Sequence, residues 1–142
     1  MKSSIFQKAV LLVAGATAIF IGGSILLSPD AFYAAYGISL SGDVSLTNEL
    51  RASGGSVVML GFLTLAGVVF ARFTLVSTLL AAAMFLAYGA TRLLSLGIDG
   101  QPDGGLVAAM AAELAIGAAG LAALISARKT PDHNSDGRLR VS

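Results

Sequence analysis

Four long apolar runs constrain this chain more than any other feature. A helix needs roughly 20 predominantly apolar residues to cross ~30 Å of hydrocarbon, because a backbone in lipid must satisfy its polar groups internally. Segments at about residues 9–27, 48–71, 74–96 and 106–127 all meet that length. Ser28-Pro29-Asp30 ends the first, Thr47 or Asn48 is placed to cap the second, and Gly97 supplies a stop for the third. The fourth carries one charge, Glu113. A chain of 142 residues that is 56% hydrophobic and 12% charged has too little polar surface for a water-soluble fold. The expected architecture is all-α: an integral membrane four-helix bundle forming one domain over residues 1–127.

Lys2 and Lys8 precede the first run, and Ala16-Thr17-Ala18 has the small-x-small form of a signal-peptidase site. The run continues through Ile19 to Leu27 and reaches spanning length, so a retained helix is expected. Orientation follows from the basic residues. With the N-terminus inside, Lys2, Lys8, Arg72, Arg128, Lys129, Arg138 and Arg140 lie on the inner side, and Arg51 and Arg92 on the outer. Four spans then return the C-terminus to the cytoplasm. Residues 128–142 are polar, contain a proline and lack periodicity, which predicts a disordered cytoplasmic tail. His133 falls in that tail and is given no metal role.

Only Arg72-Phe73-Thr74 joins the second and third spans, which makes them antiparallel neighbours. The first outer loop, about residues 28–47, is longer and contains Phe32, Tyr33 and Tyr36. Residues 30–36 are expected to form a short interfacial segment that caps the bundle from outside, with its aromatics at headgroup level. Between helices, lipid supplies no hydrophobic drive, so association depends on small residues and interhelical hydrogen bonds. Gly15, Gly22 and Gly23, then Gly54, Gly55, Gly61 and Gly67, then the alanines around Gly117 provide them. Gly54-Gly55 lies inside a helix, with no preceding strand and no Gly-Lys-Ser/Thr, so it is no phosphate loop.

Ionisable groups within hydrocarbon are costly and usually face a partner or a cavity. Glu49 and Arg51 fall in the first turn of the second span, Arg92 one turn before the outer end of the third, with Asp99 just beyond it, and Glu113 about two turns below the outer end of the fourth. Glu113 is expected to be ionised and paired with Arg92 or Arg51, since an unpaired carboxylate at that depth costs several kcal/mol or takes up a proton. Two readings stay open. The charges form a salt-bridge lock that fixes helix register, which is preferred, or they line a polar pocket for the head of a lipophilic ligand such as a quinone or lipid. No nucleophile-base pair, cofactor motif or metal-ligand spacing accompanies them, and the absence of cysteine excludes thiolate chemistry. A net charge of +1 without a basic stripe argues against nucleic acid. Transport of a charged substrate lacks a route, because the inner halves offer only hydroxyls such as Thr17, Ser77 and Thr78.

Leu27-Ser-Pro-Asp-Ala-Phe-Tyr with Tyr36-Gly-Ile, Asn48-Glu-Leu-Arg-Ala-Ser-Gly-Gly55, Tyr88-Gly, Arg92-Leu-Leu-Ser-Leu, Asp99-Gly-Gln-Pro102, and Glu113-Leu with Gly117 form a recognisable set. Together they resemble the bacterial membrane proteins grouped as domain of unknown function 4345, which look like distant relatives of the four-helix DoxX-like proteins. The resemblance covers about residues 6–124. It implies a multi-pass four-helix bundle in the bacterial cytoplasmic (inner) membrane and supplies no substrate, cofactor or mechanism. It also marks Asn48, Glu49, Arg51, Tyr88, Arg92, Asp99 and Glu113 as the candidate polar cluster. The leading expectation is a non-enzymatic protein, either an accessory component of a membrane complex or a binder of a lipophilic small molecule, with homo-oligomers compatible with both. The alternative is a membrane oxidoreductase or isomerase acting on a lipid-soluble substrate. An enclosed cavity around Glu113 favours the enzyme, and direct Arg92–Glu113 pairing without a void favours the accessory role.

Overall fold

A computed structural model describes residues 4–128; the predicted tail beyond residue 128, with His133, lies outside them. The helices are α1 (Ile5–Leu27), α2 (Pro29–Ala34), α3 (Val44–Val69), α4 (Thr74–Ile98) and α5 (Gly104–Arg128), with a single 3₁₀ turn at Ala71–Phe73 before α4. All but α2 are long and apolar enough to cross a membrane. The 23 residues of α1 extend ~35 Å at ~1.5 Å per residue, enough for the ~30 Å of hydrocarbon.

Local chemistry sets the ends. Ser4 caps α1 by accepting the Gln7 amide at 3.0 Å, four residues earlier than the apolar run alone indicates. Pro29 occupies the first turn of α2, where its missing N–H costs nothing. Helix α3 starts at Val44, capped by Asp43, whose carboxylate accepts the Leu46 amide at 3.0 Å. Thr47 and Asn48 therefore lie inside the helix rather than at its cap. Gly97 also lies inside α4, which runs on to Ile98 and stops where Asp99 and then Gly100, with φ of +95°, turn the chain. The Asp103 carboxylate accepts the Gly105 amide at 2.7 Å and opens α5.

The long helices form a ring in the order α1, α3, α4, α5, with contact also across the α1–α4 diagonal. Among the described residues the backbones of α3 and α5 do not approach closely. Two glycine-built pairs carry most of the packing. Gly15 faces Gly61 and Gly22 faces Gly54, so one antiparallel register holds α1 against α3 over a heptad. A Cβ at Gly22 would stand 2.7 Å from the Gly54 carbonyl, so here the backbones themselves are in contact. Helices α4 and α5 interlock differently, with Gly89 receiving Leu114 and Gly117 receiving Leu86. Between the pairs lie Leu11, Ala14, Ala18, Val57, Ala81 and Phe85.

The end with the Ala71–Phe73 turn, where α1 begins and α5 finishes, is the turn end; the opposite end, with α2 and the connections flanking it and preceding α5, is the loop end. Near the turn end Gln7, Thr74, Ser77 and Thr78 are buried and internally bonded, while the buried Thr64 hydroxyl has no partner among the described residues. Gln7 donates from Nε2 to the Thr78 hydroxyl at 3.0 Å, and that hydroxyl donates to the Thr74 carbonyl at 2.6 Å. Ser77 donates to the Leu63 carbonyl of α3 at 2.7 Å. The outward surface is apolar: Phe20 and Val69 are each 73% exposed. A chain with hydroxyls inside and phenylalanine outside is arranged for lipid.

Candidate functional site

The close approach of α4 and α5 positions the central ion pair. Because Leu114 lies directly over Gly89, Arg92, one turn further toward the loop end, is brought level with Glu113. Arg92 Nε donates to both carboxylate oxygens of Glu113, at 3.2 and 3.0 Å. Glu113 is buried, whereas the side chain of Arg92 is about one third exposed. A carboxylate at this depth is tolerable because a cation meets it directly and shares its hydrogen bonds.

Beside the pair is a half-open cavity of about 250 Å³, bounded by residues of α1, α3, α4 and α5 and, at the loop end, of α2. Its floor is Ala18, Val57 and Phe85, its walls include Met84, Ala109 and Leu106, and its roof is Phe32, Tyr33, Tyr36 and Ile38. Arg92, Glu113 and Tyr88 supply the polar wall. The roof coheres through edge-to-face contacts of Phe32 with Tyr33, centroids 5.3 Å apart, and with Tyr36 at 5.4 Å. Burial pushes the Tyr33 phenol above its ordinary value of 10.0, with Tyr88 pushing the same way and Arg92 opposing. Tyr88 and Arg92 are thus both within electrostatic reach of Tyr33.

The remaining members of the candidate cluster lie elsewhere. Arg51 is exposed and donates from Nη1 to the carbonyl oxygens of Leu26 and Leu27, the latter at 3.4 Å. It closes the C-terminal turn of α1, where a cation also meets the helix dipole favourably. Glu113 therefore pairs with Arg92 and not with Arg51. Asn48 and Glu49 are exposed on the first turns of α3, and neither lines the cavity. Exposed Asp99 accepts a hydrogen bond from Ser95 Oγ at 2.7 Å, one turn back on α4. Phe32, Tyr33 and Tyr36, expected at headgroup level in a segment that caps the bundle from outside, roof the cavity. Their presence in one short segment expected to cap the bundle was the available signal.

The arrangement defines a multi-pass four-helix membrane protein with a half-closed aromatic chamber at one end of the bundle and an ion pair in its wall. The chain belongs to the family described as Domain of unknown function (DUF4345), whose sequence model matches residues 6–124. No curated protein and no solved structure matches it.

Proposed function

We propose that this protein binds a lipophilic small molecule non-enzymatically in the chamber, with the loop end facing the outside of a bacterial inner membrane and both termini in the cytoplasm. The single observation that carries the reading is the cavity beside the Arg92–Glu113 pair. A lock that served only to fix register would gain nothing from the void, because empty space in a helix bundle forfeits packing contacts. Mostly apolar lining with a few convergent polar groups is the usual composition of a small-molecule site. The distant likeness to DoxX-like proteins belongs to this proposal and adds no activity to it. An accessory role in a larger membrane complex is compatible with the same site, the bound molecule then being shared with a partner.

The same void favours a second reading, a membrane oxidoreductase or isomerase that uses Glu113. That reading requires Glu113 to exchange a proton with substrate, yet both of its oxygens accept from Arg92 Nε. Binding without chemistry needs no such release.

Native mass spectrometry of the protein extracted with its own lipids tests the proposal. A small molecule is expected to stay with the wild type and to be lost from Ala109→Phe, whose ring fills the chamber. Equal retention by a folded Ala109→Phe variant places the ligand elsewhere and ends the proposal. Chemical conversion of the released molecule on incubation establishes the enzyme instead.

A further inference from the structure

The chamber has an unspent charged donor and no unspent charged acceptor. Arg92 spends only its Nε on Glu113; its two terminal nitrogens form no hydrogen bond among the described residues and carry four N–H groups. The hydroxyls of Tyr33, Tyr36 and Tyr88, all on residues lining the chamber, likewise form none there. The carboxylate of Glu113 is the one charged acceptor in the lining, and it is occupied. The complementary ligand group is therefore an acceptor. It is also uncharged: Arg92 and Glu113 already balance, and a further anion would leave net charge in a low-dielectric site.

Size divides the ligand into two parts. About 250 Å³ exceeds the ~150 Å³ of an engineered cavity that holds benzene and falls short of the ~300–1,000 Å³ of drug-sized sites. A head fits inside; a long hydrocarbon chain does not. Phe32 is shared between the chamber and a groove outside it, formed by Ile19, Phe20, Gly23, Ser24 and Leu27 of α1 with Ala31 of α2. A Cβ at Gly23 would meet nothing within 4 Å, so α1 is recessed there.

Resting on the binding function above, we propose that the ligand is a lipid with an uncharged, carbonyl-bearing head. The carbonyl oxygen accepts from the terminal nitrogens of Arg92 and from the tyrosine hydroxyls, and the hydrocarbon chain leaves past Phe32 along the recess at Gly23.

The chain contains three tyrosines and no tryptophan, and every tyrosine lines the chamber, so intrinsic fluorescence reports on this site alone. The full chain in detergent micelles is titrated with three bromine-quenched probes of one chain length: methyl dibromostearate, ionised dibromostearate and dibromooctadecane. The ester is expected to quench saturably, with half-saturation about tenfold below the other two, as two or three added hydrogen bonds imply. Tyr33→Phe is expected to weaken the ester about fivefold and leave the hydrocarbon unchanged. The double substitution Arg92→Gln with Glu113→Gln, which keeps an uncharged polar pair, is expected to bring the three probes within about twofold of one another. Gly23→Leu, which has room to fold, is expected to weaken the ester about fivefold by filling the recess.

Saturable quenching in which the acid or the hydrocarbon equals the ester overturns the head-group assignment and leaves the binding function standing. An ester preference that survives both head-group variants overturns it too, and unchanged ester binding by Gly23→Leu overturns the chain route. Absence of saturable quenching by every probe, with the protein folded by circular dichroism, removes the binding function as well.

Discussion

At the scale of single residues, the Arg92–Glu113 pair tests how charge is carried inside this bundle. Arg92→Met leaves the buried Glu113 carboxylate without its partner, and an orphaned charged group of this kind costs roughly 1.5–3 kcal/mol or more. Replacing both members with apolar residues removes the orphan along with the bond. The double variant Arg92→Met with Glu113→Leu is therefore expected to be more stable than either single variant, as read by thermal unfolding in detergent. Simple additivity of the two single effects would show that the groups are not coupled. Tyr33 offers a pH-dependent counterpart. Its folded pKa is raised above 10.0, chiefly by burial, then by Tyr88, with Arg92 opposing. Its contribution is thus fully present below pH 10 and is lost as pH rises through the folded value, because the unfolded chain ionises first. Alkaline unfolding should begin at higher pH in Tyr33→Phe, and an identical profile would show that Tyr33 does not couple ionisation to folding. The pair itself was legible in the sequence, since the cost of charge in hydrocarbon singles out Glu113 and helix rise puts Arg92 at similar depth. Arg51 was misplaced because depth along a helix says nothing about azimuth, and its side chain turns to the end of α1. The capping segment was legible too, but the chamber that its tyrosines line was not, because a cavity depends on tertiary contacts.

At the scale of helices, glycine has two opposite meanings in this chain, and they separate experimentally. Gly54 and Gly22 mark the backbone contact of α1 with α3; a Cβ at Gly54 would stand 2.8 Å from the Leu26 amide nitrogen. Gly54→Ala is expected to cost about 1–3 kcal/mol by overpacking, more than the ~0.5–1 kcal/mol that alanine gains in helix propensity. Gly23, one residue from Gly22, meets nothing within 4 Å, so Gly23→Ala should instead stabilise by up to about 1 kcal/mol. Unfolding midpoints of these neighbouring variants should move in opposite directions; movement of both in the same direction would contradict the register. Sequence marked these glycines as packing positions but could not assign partners, because one chain does not state which helices touch. Helix existence was legible throughout, and helix ends were not. The first turns of α1 and α3 contain polar residues that a search for apolar runs discards, yet Gln7 is buried and bonded to Thr78. Gly97 read as a stop because glycine commonly ends helices, but the break falls where Gly100 takes positive φ.

At the scale of the whole molecule, the arrangement of charge bears on which way the bundle sits. The loop end holds Arg51 and Arg92: exposed Arg51 donates to carbonyls of α1, and Arg92 is paired with Glu113. Exposed Asp30, Asp43, Glu49, Asp99 and Asp103 surround them. At the turn end Lys8 and Arg72 are exposed, and Arg72 lies over the Phe73 ring at 4.6 Å. Among the described residues only Arg92 has its charge balanced by a carboxylate, so positive charge is weighted toward the turn end, which supports the proposed orientation. The chain has no cysteine, so single cysteines can be introduced without background. Gln101→Cys lies in the exposed connection between α4 and α5, and Ala71→Cys in the exposed turn before α4. In intact bacterial cells treated with a membrane-impermeant maleimide, Gln101→Cys should label at once and Ala71→Cys only after the inner membrane is permeabilised. The reverse pattern inverts the bundle and opens the chamber toward the cytoplasmic leaflet, in which case a ligand must be delivered from inside the cell. Labelling of both positions in intact cells would mean that α3 and α4 do not cross the membrane, and the lipid-facing surface would then have to be covered by another protein.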